Sequence, residues 1–344
     1  MALFLKLITF TVPCYNSAAY MDKCVSTLLH AGDEAEIILV DDGSADVTGA
    51  IADGYAARYP GIVRAIHQEN GGHGEGINQG LRNATGLYFK VVDSDDWLDG
   101  EALDKLMALL RDFAKLEQPV DLVVTNYVYE RVHENVQRPV RYHNALPEGR
   151  VFGWNDIGRF KQGQFMTMHT LIYRTALLHE MGLTLPKHTF YVDSLYAFQP
   201  MPSVRTIYYL NVDLYRYFIG RDDQSITEEN MTRRIEQHML VTRLLADSFD
   251  LEAMRSTNPK LARYMNHFLS VLMMICTLYP LRSDNPEYIA KSDELWGWLK
   301  ANHPATYRRM RYFTPNAVFL LPGRAGRAID LFIYRIVRRF YKFN

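Results

Sequence analysis

LYFKVVDSDDW, residues 87–97, is an apolar run that ends without transition in three carboxylates. Leu87 to Val92 reads as a β-strand, and Asp93, Asp95 and Asp96 fall just past its C-terminal end. Open α/β sheets place their ligand crevice outside the carboxyl ends of the strands, which is where these acids lie. The upstream sequence repeats the arrangement. Leu3 to Val12 reads as the first strand, Asn16 to His30 as a helix with Asn16 or Ser17 as N-cap, and Glu36 to Val40 as a second strand ending in Asp41 and Asp42. Thr48 to Tyr59 reads as a second helix and Val63 to His67 as a third strand. Strands alternating with helices imply an α/β fold with a mostly parallel central sheet.

Three acids within four positions repel one another unless something positive neutralises them, and a divalent cation is the simplest partner. Hard oxygen ligands at a strand tip suit Mg²⁺ or Mn²⁺, which keep open positions for phosphate oxygens. The competing reading is an Asp-rich turn capping a helix that starts near Gly100. Asp41 to Ser44, DDGS, is likewise open to a ligand contact or to turn and N-cap chemistry. The loop NGGHGEG, residues 70–76, has GxGxG spacing and follows the third strand, so it does not fit a dinucleotide fingerprint, and no GK[ST] marks a P-loop. Its glycines, Gly72 among them, still imply close backbone approach or positive φ. His73 is either a ligand contact or a polar loop residue.

From Asp121 to Arg221 the pattern is mixed and dense in tyrosine, with strand-like Leu122 to Tyr129, Thr170 to Tyr173 and Val204 to Leu210 around a helical Tyr191 to Gln199. Beyond Arg221, helical periodicity runs through Glu228 to Phe249, Pro259 to Leu278 and Pro286 to Ala301, which sets a boundary near residue 225. The last segment, Ile329 to Phe343, puts Arg335, Arg338, Arg339 and Lys342 on one helical face and Ile329, Ile333, Ile336, Val337 and Phe340 on the other. With Arg324 and Arg327 that is either a membrane-surface helix or an ordinary packed amphipathic one.

The composition removes other classes. Among 344 residues 48% are hydrophobic and 22% charged, as in globular domains and unlike disordered chains. Lys plus Arg total 38 against 39 Asp plus Glu, and the net charge of −1 gives no field to attract nucleic acid. Three cysteines form neither a disulfide framework nor a zinc ribbon, which fits a reducing cytoplasm. The apolar opening, interrupted by Lys6, is expected to be a buried strand and no signal peptide. Phe268 to Tyr279 falls short of the roughly 18 apolar residues a membrane span needs, so no span is expected.

Taken in order, VPCYN (12–16), VDDGS (40–44), QENGG (68–72), ATGLY (84–88) and VDSDDW (92–97) resemble the nucleotide-binding half of family 2 glycosyltransferases of bacterial type. The resemblance is strong from residue 7 to about 100, extends less clearly to about 225, and does not reach the helical C-terminal third. It implies a GT-A domain over 1–225, with a nucleotide-binding half at 1–100 and an acceptor half at 101–225. A helical region, 226–344, follows and ends in the basic amphipathic segment. The implied activity is inverting transfer of one sugar from a nucleotide-diphosphate sugar, UDP by family preference, to a saccharide or lipid-linked hydroxyl in cell-surface glycan or glycolipid synthesis. QxxRW, the mark of processive relatives, is absent. The implied location is cytoplasmic, peripheral on the inner face of the membrane, with residues 324–344 at an anionic surface.

Carried over by residue, the resemblance assigns Pro13 and Tyr15 to the nucleobase pocket and Asp41 or Asp42 to the uracil or ribose. Gly72, His73 and Asn78 join the nucleotide-sugar site, although Ile77 stands where many relatives carry an Arg before the Asn. Asp93 and Asp95 form the DxD pair, with Asp95 the direct metal ligand, Asp93 nearer the ribose and Asp96 in support. Asp96, Trp97 and His169 fall on the acceptor side, with a core histidine as the other reading of His169. Phe190 to Ser194 resembles the Glu-Asp signature with Val192 replacing the glutamate, which makes Asp193 the general base, or else a helix N-cap. Leu214 to Ser225 resembles the closing segment, where Arg221 and then Arg216 would contact the diphosphate, unless Arg216 is a surface cation. The competing functions are a sugar-nucleotide nucleotidyltransferase and a catalytically inactive nucleotide-sugar-binding protein. The glycine spacing disfavours an NAD-dependent oxidoreductase.

Overall fold

The computed structural model describes residues 6–220, 228–283 and 285–317, so Arg221 and the basic segment 324–344 lie outside the described residues. The chain divides into two compact units, Met1–Gly220 and Arg221–Asn344.

The first unit opens with β1 (Ile8–Cys14), α1 (Met21–Leu28), β2 (Ala35–Asp41), α2 (Thr48–Arg58), β3 (Val63–His67), α3 (His73–Asn83), β4 (Tyr88–Val91), β5 (Trp97–Leu98) and α4 (Gly100–Phe113). It continues with β6 (Leu122–Arg131), β7 (Val136–Val140), β8 (Val151–Phe152), β9 (Leu171–Arg174), α5 (Thr175–Glu180), α6 (Asp193–Phe198) and β10 (Ile207–Ile219). One sheet has the order β3-β2-β1-β4-β9-β6-β10-β5, with β7 on β6 and β8 on β10. The pairs β3–β2, β2–β1, β1–β4 and β6–β10 are parallel, and β9 runs antiparallel between β4 and β6. Every residue of β1 and β2 is buried, as expected for central strands covered on both faces.

The first helix starts at Met21, five residues later than the periodicity suggests. Asn16 adopts a left-handed φ of 49° and its Oδ1 accepts from the Ala45 N–H at 2.9 Å, while the Ser17 N–H donates to Thr48 Oγ1 at 2.8 Å. Both residues therefore tie the loop after β1 to the start of α2, and neither side chain caps α1, although the Ser17 carbonyl accepts from the Met21 N–H at 3.0 Å. β10 is longer than the Val204 to Leu210 run, because its pairing with β6 resumes beyond register shifts between Tyr209 and Tyr215. Such bulges re-aim side chains, here at Asp213 and Tyr215.

The glycine loop is explained largely by packing. Gly72 has φ +82°, a conformation that side chains resist. A Cβ on Gly76 would lie 2.9 Å from Pro13 Cβ, and one on Gly80 would lie 1.8 Å from Thr11 Oγ1. Helix α3 thus rests directly on β1, a contact that only hydrogen side chains allow.

The second unit contains α7 (Glu228–Arg233), α8 (Ile235–Ser248), α9 (Leu251–Thr257), α10 (Pro259–Ser283), α11 (Pro286–Asn302) and α12 (Pro304–Phe313). The apolar run around Phe268 belongs to this 25-residue α10, which is long and apolar enough to cross a membrane, contrary to the expectation from the shorter run. Two thirds of its most apolar window, 67%, is buried within the protein, as in the core helix of a helical unit.

Gly80→Ala should lower stability by roughly 1–3 kcal/mol or more, because Thr11 sits on a buried strand and cannot withdraw. Gly54→Ala, in α2 with nothing within 4 Å of its added Cβ, should raise stability by roughly 0.5–1 kcal/mol. Urea denaturation of both variants checks the pair.

Candidate active site

The parallel register brings Cys14, Asp41 and His67 abreast at the C-terminal ends of β1, β2 and β3. The chain leaves β4 beside them and enters the acidic turn, in which the Asp96 N–H donates to the Asp93 carbonyl at 3.0 Å. Helix α4 is capped by Asp99, whose carboxylate accepts from the Ala102 N–H at 3.0 Å. Asp93, Asp95 and Asp96 are therefore not required as helix caps.

These acids are held by cations and donors from three directions. His73, the first residue of α3, places Nε2 at 2.8 Å from Asp93 Oδ1, and His169 Nε2 stands 3.6 Å from Asp93 Oδ2. The Asp93 N–H donates to Tyr215 Oη at 3.1 Å, and that hydroxyl donates to Asp96 Oδ2 at 2.6 Å. Asp96 Oδ1 accepts from the Phe218 N–H at 2.7 Å. Burial works to raise the Asp93 carboxyl, yet the histidines outweigh it and hold Asp93 below the usual carboxylate range. Asp96 is pushed well up, first by burial and then by its charged neighbours Asp95 and Asp93. His73 is raised because Asp93, followed by Asp193 and Asp95, overcomes the opposing effect of burial.

The His169 ring lies among Tyr127, Tyr215 and Tyr217, with centroid separations of 5.9, 4.8 and 4.7 Å. Its carbonyl accepts from Lys90 Nζ at 2.6 Å. Lys90 is fully buried in β4, and that burial pushes its pKa down to about 7 against the opposing pull of Asp93. Asp93, Asp96 and His169 each offer a ligand atom, all within 4.8 Å of one another, and the carboxylate oxygens among them are the donors that suit Mn²⁺ or Mg²⁺.

Asp193 is the first residue of α6, with Val192 at the cap position, and its carboxyl accepts a bond from the Ser194 N–H. Burial raises its carboxyl, with the charges of His169 and His73 opposing and that of Asp93 adding, so it shares the field of the acidic turn. The segment delivering it is tied to α3. The Asn78 amide exchanges two bonds with the Leu185 backbone at 2.9 Å, and the His188 N–H donates to the Gly71 carbonyl at 2.7 Å. His188 and Tyr191, at φ 48° and 63°, complete the turn into α6 in left-handed conformations that cost energy for such residues.

Several expected contacts are used otherwise. Both amide hydrogens of Asn78 are occupied, by Leu185 and Glu75, so it anchors the segment before α6 instead of facing a nucleotide. The Asp42 carboxylate accepts from Gln68 Nε2 at 2.6 Å, Gly71 N–H at 2.7 Å and Gly72 N–H at 2.8 Å, which makes it the organiser of the glycine loop. Arg216 pairs with Asp99 at 2.8 Å and Glu130 at 3.0 Å. Pro13 is buried beneath α3, Tyr15 is 55% exposed, and Trp97 carries Lys23 Nζ over its ring. Tyr215, Lys90 and His67 were not singled out by the sequence. The tyrosine density before Arg221 and a lysine inside an apolar strand were the available signals.

Residues 9–178 match the profile described as "Glycosyl transferase family 2". Residues 9–178 form a domain of glycosyltransferase family 2. EpsH of Bacillus subtilis (strain 168), which is named as a glycosyltransferase, is 28% identical over 62% of this chain, and the alignment spans 60% of its own length. Glycosyltransferase GlyG of Streptococcus pneumoniae serotype 4 is 38% identical over 36% of this chain and 39% of its own. This chain thus spans less than two thirds of these relatives. Among solved structures, S. aureus TarS 1-349 in complex with UDP-GlcNAc superposes with a TM-score of 0.61 at 19% identity, covering 98% of this chain and 91% of that one. The mannosyltransferase PcManGT from Pyrobaculum calidifontis, in complex with GDP-Man and Mn²⁺, gives 0.50 at 14% identity over 99% and 89%. The fold is of the GT-A kind.

Asp42→Asn should cost about 2 kcal/mol in urea denaturation, because an amide NH₂ would face backbone N–H groups that now donate to a carboxylate.

Proposed function

We propose that this chain transfers one sugar from a nucleotide-diphosphate sugar, a UDP-sugar by first choice, to an acceptor hydroxyl with inversion at the anomeric carbon. The observation that supports this is that the segment leading into Asp193 is bonded through Leu185 and His188 to α3 and the glycine loop, whose His73 bonds Asp93. The donors bound to TarS and PcManGT, UDP-GlcNAc and GDP-Man, support a nucleotide-sugar donor here. Asp95, two residues after Asp93 in the same turn, would hold a Mg²⁺ or Mn²⁺ ion together with Asp93, with Asp96 keeping the turn in shape. Bound there, the ion supplies positive charge where the diphosphate departs.

The residues of the chain do the rest. Asp41 and Tyr15 take the nucleobase end and Asp93 the ribose, while His73 fixes the Asp93 carboxylate. Asp193 accepts the proton of the acceptor hydroxyl as that oxygen forms its bond to the anomeric carbon. The bond from that carbon to the phosphate oxygen breaks, and its electron pair leaves with the nucleoside diphosphate. The acceptor in this reading is a saccharide or lipid-linked hydroxyl of the cell surface, with residues 324–344 at the inner leaflet. The sequence pattern of basic and apolar residues in that segment supports the location, as do three free, buried cysteines.

Asp193→Asn should leave nucleotide-sugar binding intact and lower turnover by about 10²- to 10⁴-fold. Donor hydrolysis, with water in place of the acceptor, is the assay. Turnover within severalfold of the unaltered protein, or a product that retains the anomeric configuration, would reject the mechanism.

A further inference from the structure

His67 stands at the end of β3, opposite Asp41 in the sheet register. Its Nδ1 lies 3.0 Å from Asp41 Oδ2, and its Nε2 lies 3.0 Å from Asp53 Oδ1 on α2. An ionised carboxylate only accepts hydrogen bonds, so both contacts are hydrogen bonds only when both ring nitrogens carry a proton. The geometry therefore describes an imidazolium between two acids. The charged groups facing the ring are Asp41 from β2 and Asp53 from α2. Nearby Asp42 directs its oxygens to the glycine loop, and Arg64 on β3 pairs with Glu36. The backbone of α2 closes the arrangement, since a Cβ on Gly49 would come within 2.8 Å of Asp41 Oδ2.

Asp41 is 8% exposed, and its Oδ1 accepts from the Ser44 N–H at 3.1 Å. Bonds from His67, the Ser44 N–H and the Ser44 side chain fix the plane of the carboxylate and leave it one acceptor site for a further donor. We infer that His67 is a positioning residue for donor recognition, holding Asp41 ionised and oriented as the acceptor for a ring N–H of the nucleobase. A uracil-type base presents such an N–H, whereas cytosine presents a bare ring nitrogen at the same place. This inference rests on the proposed contact between Asp41 and the nucleobase.

The proton balance points the same way. Bonds from Asp41 and then Asp53 raise His67 above the ordinary imidazole value, with burial opposing. Asp41 is lowered, because bonds from Ser44 and His67 outweigh the effect of its burial. For a raised imidazole, the benefit is complete below about pH 6.5 and is lost as pH climbs through the raised value. Nucleotide affinity should therefore fall on the alkaline side.

The test is calorimetric titration of UDP, with Mg²⁺ saturating, into the full chain and its His67→Gln variant between pH 6 and 9. Ionisation of UDP itself cancels in the ratio of the two affinities. The ratio should be about tenfold at pH 6 and approach unity at pH 9, as expected for loss of one charge-assisted bond. A ratio that does not change with pH overturns the inference. Asp41→Asn separates this from the underlying reading. If Asp41→Asn binds UDP as tightly as the unaltered protein, the nucleobase contact fails and the inference fails with it. If Asp41→Asn weakens UDP while His67→Gln does not, only the role of His67 fails. Should His67→Gln not fold, proton NMR titration of His67 in the unaltered protein decides. A raised value that rises further with UDP supports the role, and an ordinary value unmoved by UDP overturns it.

Discussion

Carboxylates crowded at the tip of a buried strand repel one another, and the surrounding structure is arranged around that repulsion. The acids follow β4, an inner strand of the sheet, at its C-terminal end, where partial burial leaves less water to screen them. The protein answers with His73 and His169 against Asp93 and with the Tyr215 hydroxyl shared between Asp93 and Asp96. Even so, Asp96 is driven upward by burial and by its neighbours. A set of acids only partly neutralised by its own fold is one prepared for an external cation.

The supports come from distant parts of the chain. His73 starts α3, whose glycines let it lie on β1, and the same helix anchors through Asn78 the segment that carries Asp193. Tyr215 reaches the acids because β10 is bulged, and His169 is fixed through its carbonyl by a lysine buried in β4. Glycine packing, strand irregularity and a buried cation therefore converge on one turn. Each would be a liability in a fold without a ligand site there.

The first hundred residues were highly legible in the sequence. β3 and the body of α2 fall where periodicity puts them, because alternating buried strands and amphipathic helices write their periods into the chain. The acidic turn was legible because no exposed helix explains it. The start of α1 was not, since Asn16 and Ser17 carry capping chemistry that the tertiary fold diverts to the neighbouring loops. The bonds that Asp42 and Asn78 make within the fold were not legible for a related reason. A motif shows that a polar residue is needed, but not whether its partner is a ligand or the backbone of a loop. Tyr215 and Lys90 were hidden because their partners lie far away in sequence, and only β-sheet register brings them together.

The central claim is that this turn binds a divalent cation together with the diphosphate of a nucleotide. Calorimetric titration of UDP into the unaltered protein, once with Mn²⁺ and once after EDTA treatment, tests it most directly. The account predicts saturable binding with the ion and a loss of at least about tenfold without it, the scale of a single strong charge interaction. Equal affinity under the two conditions would contradict it.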